Sequence, residues 1–290
     1  MSSPDNPQFD AQAPFTTEPP SQPVVTEAMP QPIFPASAPA FPPLVKDPVW
    51  NGWDVLQIAA LAAVSVIVLQ LVIVFGAKFL IYRDLVLKEV AQKVLLAIVA
   101  QFVAYVVVAA YMFSLVEGKY RANFWPAIKW NWPRGQWKFL GLGGLVLIAL
   151  NILGHFLPMP KSTPFEDFFA RPSDAYLMSI FAVTFGPFME ELFFRGFLYP
   201  VIARRMGIFW GVVLTALPFG LMHMFQYGYA WGVVLLIFLM GVVCTVVRAV
   251  TGSVAASFLV HVGYNATEML IFAVATDGFR HMEKAGALLF

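Results

Sequence analysis

Charge is what this sequence has least of. Only 12% of its residues are Asp, Glu, Lys or Arg, against 59% that are hydrophobic, whereas soluble domains average roughly 25% charged residues. A soluble chain of 290 residues would bury a large core but would still need a charged coat. Lipid is therefore the expected solvent. The formal net charge of +1 provides no dense basic field to neutralise phosphates, which excludes a nucleic-acid partner. The single cysteine, Cys244, excludes an intrachain disulfide and reads as a small packing residue in a helix. The His-Glu-x-x-His pattern of helical zinc peptidases is absent, and so is the Gly-x-Ser-x-Gly nucleophile elbow. Gly252-Ser253 lies between apolar runs, where a serine needs no special role. The first ten residues hold no basic stretch followed by an apolar one, so the first apolar span is expected to act as its own insertion signal. No internal repeat is visible, which weakens a transporter built on inverted repeats.

What the chain does have falls into four regions. Residues 1–48 carry more than half of its 22 prolines, mixed with Ser, Thr and Gln. Such a stretch lacks a periodic apolar face, so a disordered, extended tail is expected, serving as a solvated spacer or as the ligand of a proline-binding partner. Residues 49–138 hold the first membrane helices and an interfacial loop. Residues 139–275 form the expected transmembrane catalytic core, and 276–290 a C-terminal tail. A spanning helix needs about 20 apolar residues. Val55–Ala77, Val94–Val116 and Phe139–Met159 qualify, as do Gly207–Gln226, Ala230–Val247 and Ser253–Ala275. The run from Ala175 to Arg205 is apolar to Met189 and then carries Glu190, Glu191 and Arg195. The expectation is an all-α, polytopic transmembrane helical bundle of seven spans, or eight if 160–174 dips in, in a plasma or inner membrane. The loop from Lys119 to Lys138 mixes cations with Trp125, Trp130, Trp132 and Trp137 and reads as an interfacial belt. Phe165–Arg171 is a second interfacial candidate. Seven spans place nine cations on one side and eight on the other, so the positive-inside rule does not orient the chain.

Ionisable groups within a span cost several kcal/mol and are functional candidates for that reason. Glu191 and Arg195 are four apart and share a helix face, so they can pair. Glu190 points about a third of a turn away; without that local partner it is the candidate general base. A helix end among headgroups is the plain alternative. Gly186-Pro187 just upstream can kink the helix and free backbone groups. His223, in Phe219-Gly220-Leu221-Met222-His223, reads equally well as interfacial or functional. His261 and Asn265, four apart on one face, can donate hydrogen bonds to a developing oxyanion or glue helices together. Glu268 follows three residues later on a similar face, where it can orient the neighbouring polar groups or mark the helix approaching water. A carboxylate, two imidazoles and an amide on three helices suit water activation with oxyanion stabilisation. Two His and a Glu are also close to a zinc ligand set.

Glu190-Glu191…Arg195, Phe219…His223 and His261…Asn265, in that order and each within an apolar run, resemble the CAAX prenyl protease and bacteriocin-processing (CPBP, Abi) family of intramembrane endopeptidases. The resemblance covers roughly 175–270. It implies an all-helical membrane hydrolase acting on a peptide or membrane-protein substrate. In that reading Glu190 and His223 activate a water, His261 and Asn265 form the oxyanion hole, and Glu191 and Arg195 brace the site. No cofactor is assigned; a divalent metal such as zinc, if used, would sit on Glu190, His223 and His261. The competing readings are a non-catalytic scaffold or bacteriocin-immunity protein of the same fold, and a proton-coupled transporter with Glu190 and the two His as a relay.

Overall fold

A computed structural model describes residues 47–160 and 162–282. The proline-rich tail up to residue 46, and the end of the chain from 283, lie outside the described residues. All regular structure among those described is helical. Helix α1 (Gly52–Leu80) leads through the short α2 (Leu87–Ala91) to α3 (Val94–Phe113), which continues as a π-helical turn over Ser114–Lys119. After α4 (Phe124–Ala127) and α5 (Gln136–Gly154), a 3-10 turn covers Pro164–Phe169. Then come α6 (Pro172–Val183), α7 (Phe185–Glu191), a second π-helical turn over Leu192–Leu198, and α8 (Tyr199–Met222). Helices α9 (Trp231–Thr251) and α10 (Val254–Ala275) complete the bundle.

Six helical stretches are long and apolar enough to cross a membrane, and the chain is an integral, multi-pass membrane protein. Their outer faces agree: Leu56, Val64, Ile67, Leu71, Val72 and Phe79 of α1 are all exposed, which only lipid makes inexpensive. The count of seven differs from six for a physical reason. The stretch Pro172–Met222 is 51 residues long and breaks at Gly207, where φ is 84° and ψ 170°, a conformation essentially restricted to glycine. In an unbroken helix, residues eight apart are separated by roughly 12 Å. Here a Cβ on Gly211 would stand 2.9 Å from the Ala203 Cβ, so the chain doubles back at Gly207. The expected boundary between two arms, 175–205 and 207–226, falls on that reversal. The 3-10 turn at Pro164–Phe169 is too short to cross, and its Phe165, Phe168 and Phe169 line a cavity.

Local chemistry explains the helix ends. The Asn51 side chain accepts from the Trp53 and Asp54 amides at 2.8 and 3.3 Å, and Asp54 accepts from the Asn51 amide at 2.9 Å; this reciprocal cap starts α1. Gly252, at φ 66°, closes α9, and the Ser253 hydroxyl, accepting from the Ala256 amide at 3.0 Å, opens α10. Small residues let helices approach. A Cβ on Gly143 of α5 would overlap the Val260 carbonyl, and one on Gly263 of α10 would overlap the Leu140 carbonyl. The two backbones are therefore in direct contact, the expected packing where lipid supplies no hydrophobic drive between helices. That contact fixes the face of α10 bearing His261 and Asn265.

The Trp-rich loop packs in part against the bundle. Trp132 and Trp137 are exposed, but Phe124 is buried and Trp130 packs on Phe188 and Phe258 at centroid distances of 5.3 and 5.4 Å. Asp54 of α1 accepts from the Lys119 ammonium and the Tyr120 hydroxyl, each at 2.5 Å. Burial, and the bond to Asp54, hold the Tyr120 phenol above its ordinary value.

Candidate functional site

Helix α6 ends at Thr184, whose backbone leaves the helical region (φ −116°, ψ −75°), just before Gly186-Pro187. Proline at 187 has no amide hydrogen to complete the ladder, so the axis restarts there. The restarted α7 presents Glu190 and Glu191 in different directions, as adjacent helical residues must be, about 100° apart. Glu190 faces a cavity of about 630 Å³; Glu191 faces the packed interior and is fully buried.

Glu191 makes three hydrogen bonds across the bundle. Its Oε1 accepts from Arg195 Nη1 at 2.7 Å and pairs with His261 Nδ1 at 2.9 Å, and its Oε2 accepts from the Ser257 hydroxyl at 2.5 Å. Arg195 is equally occupied. Its Nε donates to the Thr245 hydroxyl at 3.2 Å, its Nη2 to the Gly241 carbonyl at 2.7 Å, and its guanidinium lies 4.6 Å from the centre of the Phe219 ring. The ion pair thus ties α7 and its π-helical continuation to α9 and α10. The widened π turn leaves carbonyls free of the usual ladder. Arg248 donates to the Arg195 carbonyl at 3.3 Å and the Trp50 indole to that of Phe197 at 3.0 Å.

The cavity gathers the expected site residues. Glu190, His223, His261 and Asn265 all line it, together with Tyr105, Gln226, Tyr227, Tyr264 and Glu268. Glu190 Oε2 stands 3.7 Å from His261 Nε2. The Phe219 ring lies edge-on between the two imidazoles, 5.3 Å from His223 and 5.7 Å from His261. Both tautomers follow from the partners. His223 Nδ1 is 2.8 Å from the Phe219 carbonyl, which can only accept, so Nδ1 carries hydrogen. A carboxylate paired with Arg195 likewise only accepts, so His261 Nδ1 is protonated too. Each neutral imidazole therefore keeps a bare Nε2. One amide hydrogen of Asn265 is used on the Ala182 carbonyl at 2.7 Å; the other remains for a ligand. Burial, together with the charges of Glu268 and Glu190, pushes the Tyr227 phenol well above its ordinary value.

Sequence reasoning missed Ser257, Thr245 and the Gly241 carbonyl, all partners of the buried pair. Small polar residues inside an apolar run carry no signal that separates them from packing residues. Glu268 lines the same cavity as the other groups.

Two sets of groups bear on a metal. Glu191, Cys244 and His261 offer ligand atoms within 4.8 Å of one another, the one such group among the described residues. Their chemistry does not fit: Glu191 already holds three donors, one of them a guanidinium. Glu190, His223 and His261 fit by donor type, since both imidazoles are anchored through Nδ1 and free at Nε2, the usual arrangement behind a metal ligand. They do not converge as closely as the first set.

No curated protein and no solved structure matches the chain. Residues 172–267, the stretch bearing Glu190, Glu191, Arg195, His223, His261 and Asn265, match the family model described as type II CAAX prenyl endopeptidase Rce1-like, and with it the membrane protease family that the three motifs resemble.

Proposed function

We propose that the chain is an intramembrane endopeptidase whose catalytic groups are Glu190, His223, His261 and Asn265. The observation that carries this reading is their shared position on one cavity within the spans, a costly arrangement that packing alone does not demand. Glu190 takes a proton from water as its oxygen attacks the peptide carbonyl carbon, with His223 Nε2 accepting the water's second hydrogen bond. The free Asn265 amide hydrogen and His261 Nε2 donate to the developing oxyanion. His261 fills this role in the form with hydrogen on both ring nitrogens, Nδ1 held by Glu191 and Nε2 turned to the oxyanion. Collapse breaks the C–N bond, and Glu190 returns its proton to the leaving amine, giving a carboxylate and an amine. Glu191 and Arg195 hold the His261 ring. Were a divalent ion such as zinc to be bound, Glu190, His223 and His261 would hold it, and it would polarise the carbonyl or acidify the water.

The substrate is a peptide or membrane protein, and the catalytic unit is 139–275. The test uses the purified full-length protein in lipid nanodiscs, offered membrane-inserting peptides, with products read by mass spectrometry. Glu190→Ala and His223→Ala should each abolish cleavage while thermal unfolding stays unchanged. Unaltered cleavage by both variants overturns the assignment. Wild-type protein that cleaves nothing but carries solute across vesicles would favour the transporter reading.

A further inference from the structure

One group in the cavity has no part in the chemistry above. Glu268 lies seven residues beyond His261 on α10, so at 1.5 Å per residue the two α-carbons stand roughly 10 Å apart on nearly the same helix face. Its carboxylate makes no hydrogen bond or ion pair with the described residues, in contrast to Glu166, also on the cavity wall, whose Oε1 accepts from the Thr163 amide at 2.8 Å and hydroxyl at 3.2 Å. Two phenols, Tyr227 and Tyr264, line the wall with it, and no lysine or arginine does among the described residues. A carboxylate open to a low-dielectric cavity, with no ion-pair partner within reach, is unfavourable until a cation arrives. Aromatic rings beside it add to the attraction for an ammonium or guanidinium.

We propose that Glu268, with Tyr227 and Tyr264, forms a cation-accepting subsite that selects peptides bearing Lys or Arg about three residues from the bond cleaved. The spacing follows from an extended chain advancing about 3.3–3.6 Å per residue. The inference rests on the peptidase reading. The same charge disfavours a substrate that would bring a free C-terminal carboxylate to this wall.

The test takes apolar, membrane-inserting peptides identical except for Lys, Gln or Glu at each position two to four residues from the scissile bond. Each is offered to full-length wild type, Glu268→Gln and Glu268→Lys in nanodiscs. Wild type should cleave a Lys peptide at least about tenfold faster than its Gln counterpart, the scale of one charge-assisted hydrogen bond. Glu268→Gln should erase that preference while keeping the rate on the Gln peptide, and Glu268→Lys should favour Glu. Binding of the same fluorescently labelled peptides is measured alongside. A Lys preference in binding that vanishes in Glu268→Gln supports the subsite even where no peptide is cleaved, a result that would instead sink the peptidase assignment. Equal rates and affinities for Lys and Gln peptides, or a preference unchanged in Glu268→Gln, overturn the inference. Should Glu268→Gln fail to fold, Glu268→Lys decides: a switch of preference to Glu supports the inference, and an unchanged Lys preference overturns it.

Discussion

Replacing Arg195 by methionine probes the bracing of the site most severely. Arg195 and Glu191 are both fully buried, and their pairing distance is 2.7 Å. Removing the cation leaves a carboxylate in the bundle interior with only His261 and Ser257 to compensate it. Breaking a buried pair in this way costs about 3–5 kcal/mol. The Gly241 carbonyl loses the Arg195 donor but keeps the Thr245 hydroxyl at 2.7 Å, so the exposed charge is the main loss. Against the 5–15 kcal/mol typical of whole domains, Arg195→Met should remove a third or more of the stability. The double variant Glu191→Gln/Arg195→Met should recover much of it, because no unpaired charge is then left behind. Its His261 ring would nonetheless lose an ionised anchor, so cleavage should stay low while folding returns. Unfolding of the three variants and wild type in mixed detergent micelles, beside peptide cleavage, reads both quantities. A loss below about 1 kcal/mol for Arg195→Met, or a double variant less stable than either single one, would refute the reasoning.

Other expectations follow from particular positions. Gly143→Ala should lower thermal stability and cleavage together, because its Cβ would fall 2.8 Å from the Gly263 carbonyl carbon and overpacking costs about 1–3 kcal/mol; a melt equal to wild type would contradict the direct α5–α10 contact. Gly207→Ala has open space around its Cβ, so its cost is backbone strain of about 1–3 kcal/mol, visible as a lower unfolding midpoint. Cys244→Ala should keep both cleavage and the metal content measured by elemental mass spectrometry; loss of a stoichiometric metal would show that Glu191, Cys244 and His261 hold one.

The sequence exposed what depends on cost. Charged groups are expensive in lipid, so their scarcity marked the spans, and Glu190, Glu191, Arg195, His223, His261 and Asn265 stood out against it. The four-residue spacing of Glu191 and Arg195 was enough to expect their pairing, and the hundred-degree offset separated Glu190 from it. Groups whose role comes from another helix left no such trace. Ser257 and Thr245 are inexpensive in any apolar run, and only the packing of α9 and α10 on the π-helical turn shows that they satisfy Glu191 and Arg195. Glu268 stood out as a charge in the span, but only the packing shows that the cavity reaches it. The reversal at Gly207 was legible as a boundary between spans, but its left-handed backbone was not.

The central claim is that Glu190 activates a water held in a cavity inside the membrane. The most direct measurement is the single-turnover cleavage rate of Glu190→Gln against wild type in nanodiscs, with peptide affinity measured on the same samples. Loss of a general base should slow the chemical step about 10²–10⁴-fold and leave binding nearly unchanged. Cleavage at the wild-type rate would contradict the account.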